Sequence, residues 1–146
     1  MKEKSVVDKK LILLNVLIPL SLGTIFYYIF SPEVFFVKCI DALLGGGYHV
    51  SLSDMESVVL GIIRNHVLDM LWAYALVFAV FCVIGNNETV LLKSFGIAIF
   101  FSLLMELLQI TSFVKGTFDM WDIVLAFVAE GVAVLIIKIL LRRNVL

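Results

Sequence analysis

Four stretches of this chain run long with scarcely a charge, and the polar residues gather in the intervals between them. The stretches are Leu11 to Phe30, His66 to Gly85, Val90 to Phe113 and Trp121 to Leu141. Each is close to the roughly 20 residues that a helix needs to cross about 30 Å of hydrocarbon. Interruptions are few: Asn15 and Pro19 in the first run, Asp69 near the start of the second, Lys93, Glu106 and Gln109 in the third, and Glu130 near the middle of the fourth. Spanning strands would be shorter and would alternate apolar with polar residues, which these runs do not. The pattern predicts an all-α fold, an integral membrane four-helix bundle, as a single transmembrane domain over residues 1–146. There is no internal repeat and no low-complexity tract.

The interval from Ser31 to Asn65 is long for a connection and carries its own helix signals. Ser31-Pro32-Glu33 offers a capping hydroxyl, a proline in the first turn and then an acid. Glu33, Lys38 and Asp41 can share one face against Phe35, Phe36, Ile40 and Leu43, until Gly45-Gly46-Gly47 breaks the run. Ser53-Asp54-Met55-Glu56 has the form of a capping box and leads into Val58, Val59, Ile62 and Ile63. Two short interfacial helices are expected, near Pro32 to Leu44 and Asp54 to Arg64, forming a lid that seals the bundle or contacts a ligand. The Asn86-Asn87-Glu88 segment and the segment from Phe113 to Met120 read as tight turns.

Composition agrees with a bilayer environment. Of 146 residues, 62% are hydrophobic and only 16% charged, and the mean hydropathy is +1.12. A soluble domain of this size could not hide so much apolar surface. The net charge of -1 provides no basic field for nucleic acid. Lys2, Lys4, Lys9 and Lys10 precede the first span, and Lys138, Arg142 and Arg143 close the fourth. Only Lys38, Arg64 and Lys115 fall in the segments on the other side. Cationic residues near span ends stay in the cytoplasm, so both termini are expected there. The first run is too long for a signal-peptide core and has no small-residue cleavage site, which marks it as a retained anchor. Cys39 and Cys82 fall at different depths and are expected to be too far apart to pair.

An ionisable residue within a span is costly and usually faces the bundle interior or a wet cavity. Glu106 and Gln109 are three apart and share a helix face, as do Asp119 and Asp122, and His66 and Asp69. In the predicted topology all six lie in the outer half. Capping accounts for Asp119 and Asp122 at a helix start, and helix-to-helix hydrogen bonding for Gln109. A lone His66 is an ordinary interfacial residue. Glu106 is too deep for capping and needs a partner, a proton or a cation. Asp69, Glu106, Gln109, Asp119 and Asp122 are therefore the candidate ligand-binding residues, expected to meet in one cluster. The counterion could be Lys115, Arg64 or a bound divalent cation. Glu130, eleven positions from Asp119, shares its face and joins His66 and Lys115 in a second tier. No residue is assigned as catalytic. Phosphate-binding glycine loops, HExxH, a nucleophile-elbow serine and CxxC are all absent.

Three of these stretches carry a resemblance. Glu106-Leu107-Leu108-Gln109, a short turn, and then Gly116-Thr117-Phe118-Asp119-Met120-Trp121-Asp122 resemble the VanZ-like family of small bacterial membrane proteins. In that family a Glu-x-x-Gln helix end precedes a Phe-Asp-x-x-Asp helix start. Asp69-Met70-Leu71-Trp72-Ala73-Tyr74 is similar to the aromatic second-span motif of relatives, which adds Trp72 and Tyr74 to the second tier. The similarity covers the last three spans and leaves the outer segment unmatched. It departs at Ala126, where relatives often carry Asn, and at Ala129-Glu130-Gly131, where they have a small Gly-rich pattern. If that Asn supports an activity, this chain has lost it or Glu130 compensates.

The resemblance implies a VanZ-like fold, the bacterial cell membrane and a link to the cell envelope, with some relatives associated with glycopeptide antibiotic resistance. It supplies no reaction. Three functions stay open: binding an outer-leaflet lipid head group, cell-wall precursor or glycopeptide-type ligand at an acidic outer pocket; a membrane-embedded enzyme using paired carboxylates on a lipid-linked substrate; and a purely structural bundle. Transport fits poorly, because four spans without repeats leave little for alternating access.

The charge distribution makes a direct prediction. A reporter fused after Leu146 is expected to be active only in the cytoplasm, and activity on the outer side would rule out four spans with both ends inside.

Overall fold

The computed structural model describes residues 7–30, 35–47, 49, 66–85, 87–111 and 118–143. Among them every regular element longer than a single bridge residue is helical: α1 (Lys9–Phe30), α2 (Phe35–Leu44), α3 (Leu68–Ile84), α4 (Glu88–Ile110) and α5 (Met120–Arg143). Helices α1, α4 and α5 are long and apolar enough to cross a membrane. With 17 residues, α3 is shorter, about 25 Å at the usual rise per residue. A π-helical turn at His66 and Val67 precedes it. The expected helix over Asp54 to Arg64 lies outside the described residues, as do residues 32–34 of the expected Pro32 to Leu44.

Helix ends follow local chemistry more closely than the apolar runs do. Helix α4 starts at Glu88 rather than Val90, because the Asn87 side chain accepts a hydrogen bond from the Thr89 N–H at 3.1 Å. Asparagine at this position satisfies a backbone donor that the helix itself leaves open. The described helix closes at Ile110, three residues before the apolar run does. There the Thr111 N–H and Oγ1 both donate to the Leu108 carbonyl, at 3.2 and 2.8 Å. Gly85 ends α3 at φ 140°, a conformation that a side chain would strain.

Helix α3 is the hub. It packs against α1, α4 and α5, and α4 also packs against α5. Its Val77, Phe78 and Phe81 are fully buried with Ile12, Ala98, Ala133 and Ile137. Small residues let the helices approach: Ala73, Ala75, Ala98, Ala126, Ala129 and Ala133 are all buried. In lipid, where helix association lacks a hydrophobic drive of its own, such close contact supplies the van der Waals packing. The opposite faces carry large apolar side chains outward. Leu17, Ile18, Leu22 and Ile25 of α1 are each more than half exposed. Such a surface belongs in a bilayer, and the chain reads as a multi-pass membrane protein. A polar tie joins α3 to α1, where the Tyr74 hydroxyl donates to Asn15 Oδ1 at 2.6 Å. Cys39 is an exposed thiol and Cys82 a half-buried one, and both are free.

The segment that follows α1 is anchored by a small polar clamp. Tyr28, near the end of α1, donates its hydroxyl to Asp41 Oδ1 of α2 at 2.9 Å. His49 Nε2 lies 2.7 Å from Asp41 Oδ2, and Nδ1 lies 3.0 Å from the Tyr28 carbonyl. Both His49 partners are acceptors, so both bonds form only when the ring carries two protons. Gly47 permits this approach, since a Cβ there would collide with the His49 ring and with the Asp41 carboxylate. The hydrogen bond to Asp41 raises the His49 pKa above its ordinary 6.5, with help from the Tyr28 carbonyl and against the cost of desolvation.

A pKa raised by folding means that the clamp contributes fully below about pH 6.5 and is lost as pH climbs through the raised value. A spin label on Cys39, with Cys82→Ala removing the second thiol, is expected to gain mobility between pH 6 and pH 8. In His49→Ala the label should be mobile at both. A label indifferent to pH in the parent protein would remove the clamp.

Candidate functional site

Helix α3 brings α1, α4 and α5 together, and on one side their side chains leave a cavity of about 790 Å³. Gly23, Thr24 and Tyr27 of α1 form one wall. Trp72, Leu76, Phe101, Met105 and Ile123 make most of the rest apolar. Three carboxylates and an amide converge on it: Asp69 from α3, Glu106 and Gln109 from α4, and Asp122 from α5. A volume in the range of small-molecule sites, an apolar wall and a few polar groups together are the usual form of a ligand pocket.

Each polar group arrives for a local reason. Asp69 stands in the first turn of α3, where the positive end of the helix dipole favours a carboxylate. Glu106 and Gln109 occupy one face of α4 in its last turns, and Asp122 sits in the first turn of α5. The antiparallel pair α4 and α5 sets the end of one beside the start of the other. Asp119 caps that start, with Oδ1 accepting from the Trp121 N–H at 2.9 Å and its carbonyl from the Asp122 N–H at 3.1 Å. A carboxylate has two oxygens, so capping leaves Asp119 one to offer elsewhere.

The acids are close enough to act on one another electrostatically: Asp69 senses Asp122, Glu106 and His66, and Glu106 senses Asp119 and Asp122. His66 Nδ1 pairs with Asp122 Oδ1 at 2.6 Å, with both side chains partly accessible. One ligand atom each from His66, Asp119 and Asp122 lies within 4.8 Å of the others. This is the group among the described residues that could hold a metal ion. Glu106 is different in kind. It is 8% exposed, and its Oε2 is buried without a hydrogen-bond partner among the described residues.

Of the five candidates from the sequence, Asp69, Glu106, Gln109 and Asp122 line the cavity, and Asp119 lies beside it in the His66 group. Trp72 is in the wall. Tyr74 points away, to Asn15, and borders a separate shallow pocket with Leu14, Ile18 and Pro19. Glu130 is buried behind the cavity, 1% exposed, and accepts a hydrogen bond from Ser102 Oγ at 2.7 Å. Lys115 and Arg64, expected as counterions, lie outside the described residues. Ala126 lines the cavity, so the wall is apolar at that point.

Three polar wall residues, Thr24, Tyr27 and Ser102, escaped the sequence reading. Ser102 stands one helical turn before Glu106, a spacing that could have flagged it. Thr24 and Tyr27 gave no signal, because nothing in α1 alone says which of its faces meets α3.

No family model matches the chain, and neither a curated protein nor a solved structure is significantly similar to it.

The geometry predicts accessibility. In a background lacking Cys39 and Cys82, Asp69→Cys should react with a membrane-impermeant maleimide, because position 69 is exposed on the cavity wall. Ala133→Cys, at a fully buried site, should stay unmodified. Equal protection of both would mean that the acids do not reach water.

Proposed function

We propose that this chain is a VanZ-like membrane protein of the bacterial cell envelope, with four spans and both termini in the cytoplasm. In this reading it binds an outer-leaflet lipid head group, cell-wall precursor or glycopeptide-type ligand at the acidic cavity. The observation that carries the reading is the meeting of Asp69, Glu106, Gln109 and Asp122 on one cavity of about 790 Å³. Its support is chemical: the apolar wall suits a lipid-like or aromatic portion, and the carboxylates and the amide suit a polar head. Four spans follow if α3, held among α1, α4 and α5, crosses with them. The order of the motifs also fits the family, with one acid on α3, Glu106 and Gln109 at a helix end, and Asp119 and Asp122 at the next helix start.

A purely structural role accounts for Glu130, whose carboxylate is satisfied by Ser102. The same account leaves Glu106 Oε2 unexplained, because that buried oxygen has no hydrogen-bond partner among the described residues.

Native mass spectrometry of the protein extracted from bacterial membranes tests the reading. An envelope lipid or precursor is expected to remain bound to the parent protein. Glu106→Gln keeps the shape but removes the charge, and should lower retention about tenfold or more, given the roughly 1.5–3 kcal/mol of a hydrogen bond to a charged group. Equal retention in both proteins, or no bound molecule in either, would contradict it.

A further inference from the structure

Among the described residues the cavity wall carries three carboxylates and neither Lys nor Arg. At its edge, His66 from the turn that opens α3 meets Asp119 and Asp122 from the start of α5, with their ligand atoms within 4.8 Å of one another. A cluster of this kind is by itself ordinary. What sets it apart is Glu106, more than nine-tenths buried on the same cavity, with Oε2 lacking any hydrogen-bond donor among the described residues. Buried carboxylate oxygens are rarely left in that condition. Asp122 belongs both to the cluster and to the cavity wall that Glu106 lines, so the unsatisfied carboxylate and the cluster adjoin.

We propose that His66, Asp119 and Asp122 bind one divalent transition-metal ion of the zinc or manganese class, and that Glu106 accepts a hydrogen bond from water carried on that ion. One imidazole and two carboxylates make a borderline donor set. Calcium and magnesium prefer oxygen ligands alone, and soft copper prefers thiolates. Three protein ligands leave coordination positions open for water or a bound molecule, as in catalytic rather than structural zinc sites. The 2.6 Å His66–Asp122 contact is a hydrogen bond that an ion would replace. Metal–ligand bonds of about 2.0–2.2 Å set tetrahedral ligand atoms about 3.3 Å apart, so the pair must open by about 0.7 Å. Asp119 can ligate and still cap α5, since it has two oxygens. The ion supplies a positive charge that the described wall residues lack, and with it a means of holding an anionic head group. Metal binding goes beyond the ligand-binding reading and does not depend on it.

The test uses metal alone. Tag-free protein, stripped with chelator in detergent, is titrated calorimetrically with Zn²⁺, Mn²⁺, Mg²⁺ and Ca²⁺, and spectroscopically with Co²⁺. One saturable Zn²⁺ or Mn²⁺ site per chain is expected, at least about 100-fold tighter than for Mg²⁺ or Ca²⁺, with visible Co²⁺ bands of nitrogen–oxygen coordination. His66→Gln and Asp119→Asn, the latter still a good helix cap, should each weaken Zn²⁺ about 100-fold. Glu106→Gln, which removes only the water's acceptor, should weaken it about tenfold or less. Absence of a saturable site in the parent protein would overturn the proposal without recourse to any variant. So would Zn²⁺ binding that His66→Gln and Asp119→Asn leave unchanged.

Discussion

A carboxylate surrounded by apolar helices must be satisfied by something, and that constraint organises this molecule. Desolvated charge is expensive enough that proteins pair it, hydrate it or neutralise it. Two like charges about 5 Å apart repel by roughly 3 kcal/mol even at an effective dielectric constant near 20. The chain meets the constraint in two ways. Glu130 is closed off behind α4 by the Ser102 hydroxyl. Asp69, Glu106 and Asp122 are instead turned toward a common cavity. The first arrangement is finished within the protein. The second leaves Glu106 Oε2 without a donor among the described residues.

Packing makes that difference. Helix α3 touches the other three long helices, and buried alanines on α3, α4 and α5 bring the backbones close. The contacts are tight where Phe78, Phe81 and Ile137 fill the core, and they open where Gly23 and Thr24 of α1 face Asp69 and Trp72. Polar bonds fix the framework at points away from the cavity. Tyr74 ties α3 to α1 through Asn15, and the Tyr28–Asp41–His49 clamp ties α2 to the end of α1. Apart from the bond between Asp122 and His66, the helices that carry the acids are held by contacts that do not use them. A site kept ready for a ligand requires that kind of support.

Much of this was legible in the sequence. Charge-free runs marked the four long helices, because the cost of a charge in hydrocarbon confines Lys, Arg, Asp and Glu to a few positions. The i, i+3 spacing of Glu106 with Gln109 and of Asp119 with Asp122 pointed to shared faces, and the short connection between α4 and α5 set those faces side by side. Boundaries were less legible. Asn87 reads equally well as a turn residue or as a cap, and only its bond to Thr89 decides. Tyr74 was grouped with Trp72 by their motif, yet residues two apart on a helix point in different directions, and Tyr74 faces Asn15. The contribution of α1 to the cavity was invisible, since an evenly apolar helix gives no sign of which face is inward. The pairing of His66 with Asp122, 56 positions apart, likewise depends on tertiary contact.

The central claim is that the carboxylates of three helices share one open cavity that is completed by something other than the protein. An experimental structure in lipid nanodiscs tests it most directly, through the density between Asp69, Glu106 and Asp122. Ordered non-protein density within hydrogen-bonding distance of Glu106 Oε2 is the predicted result. A closed cavity, with Glu106 bonded directly to another side chain of the protein, would contradict the account.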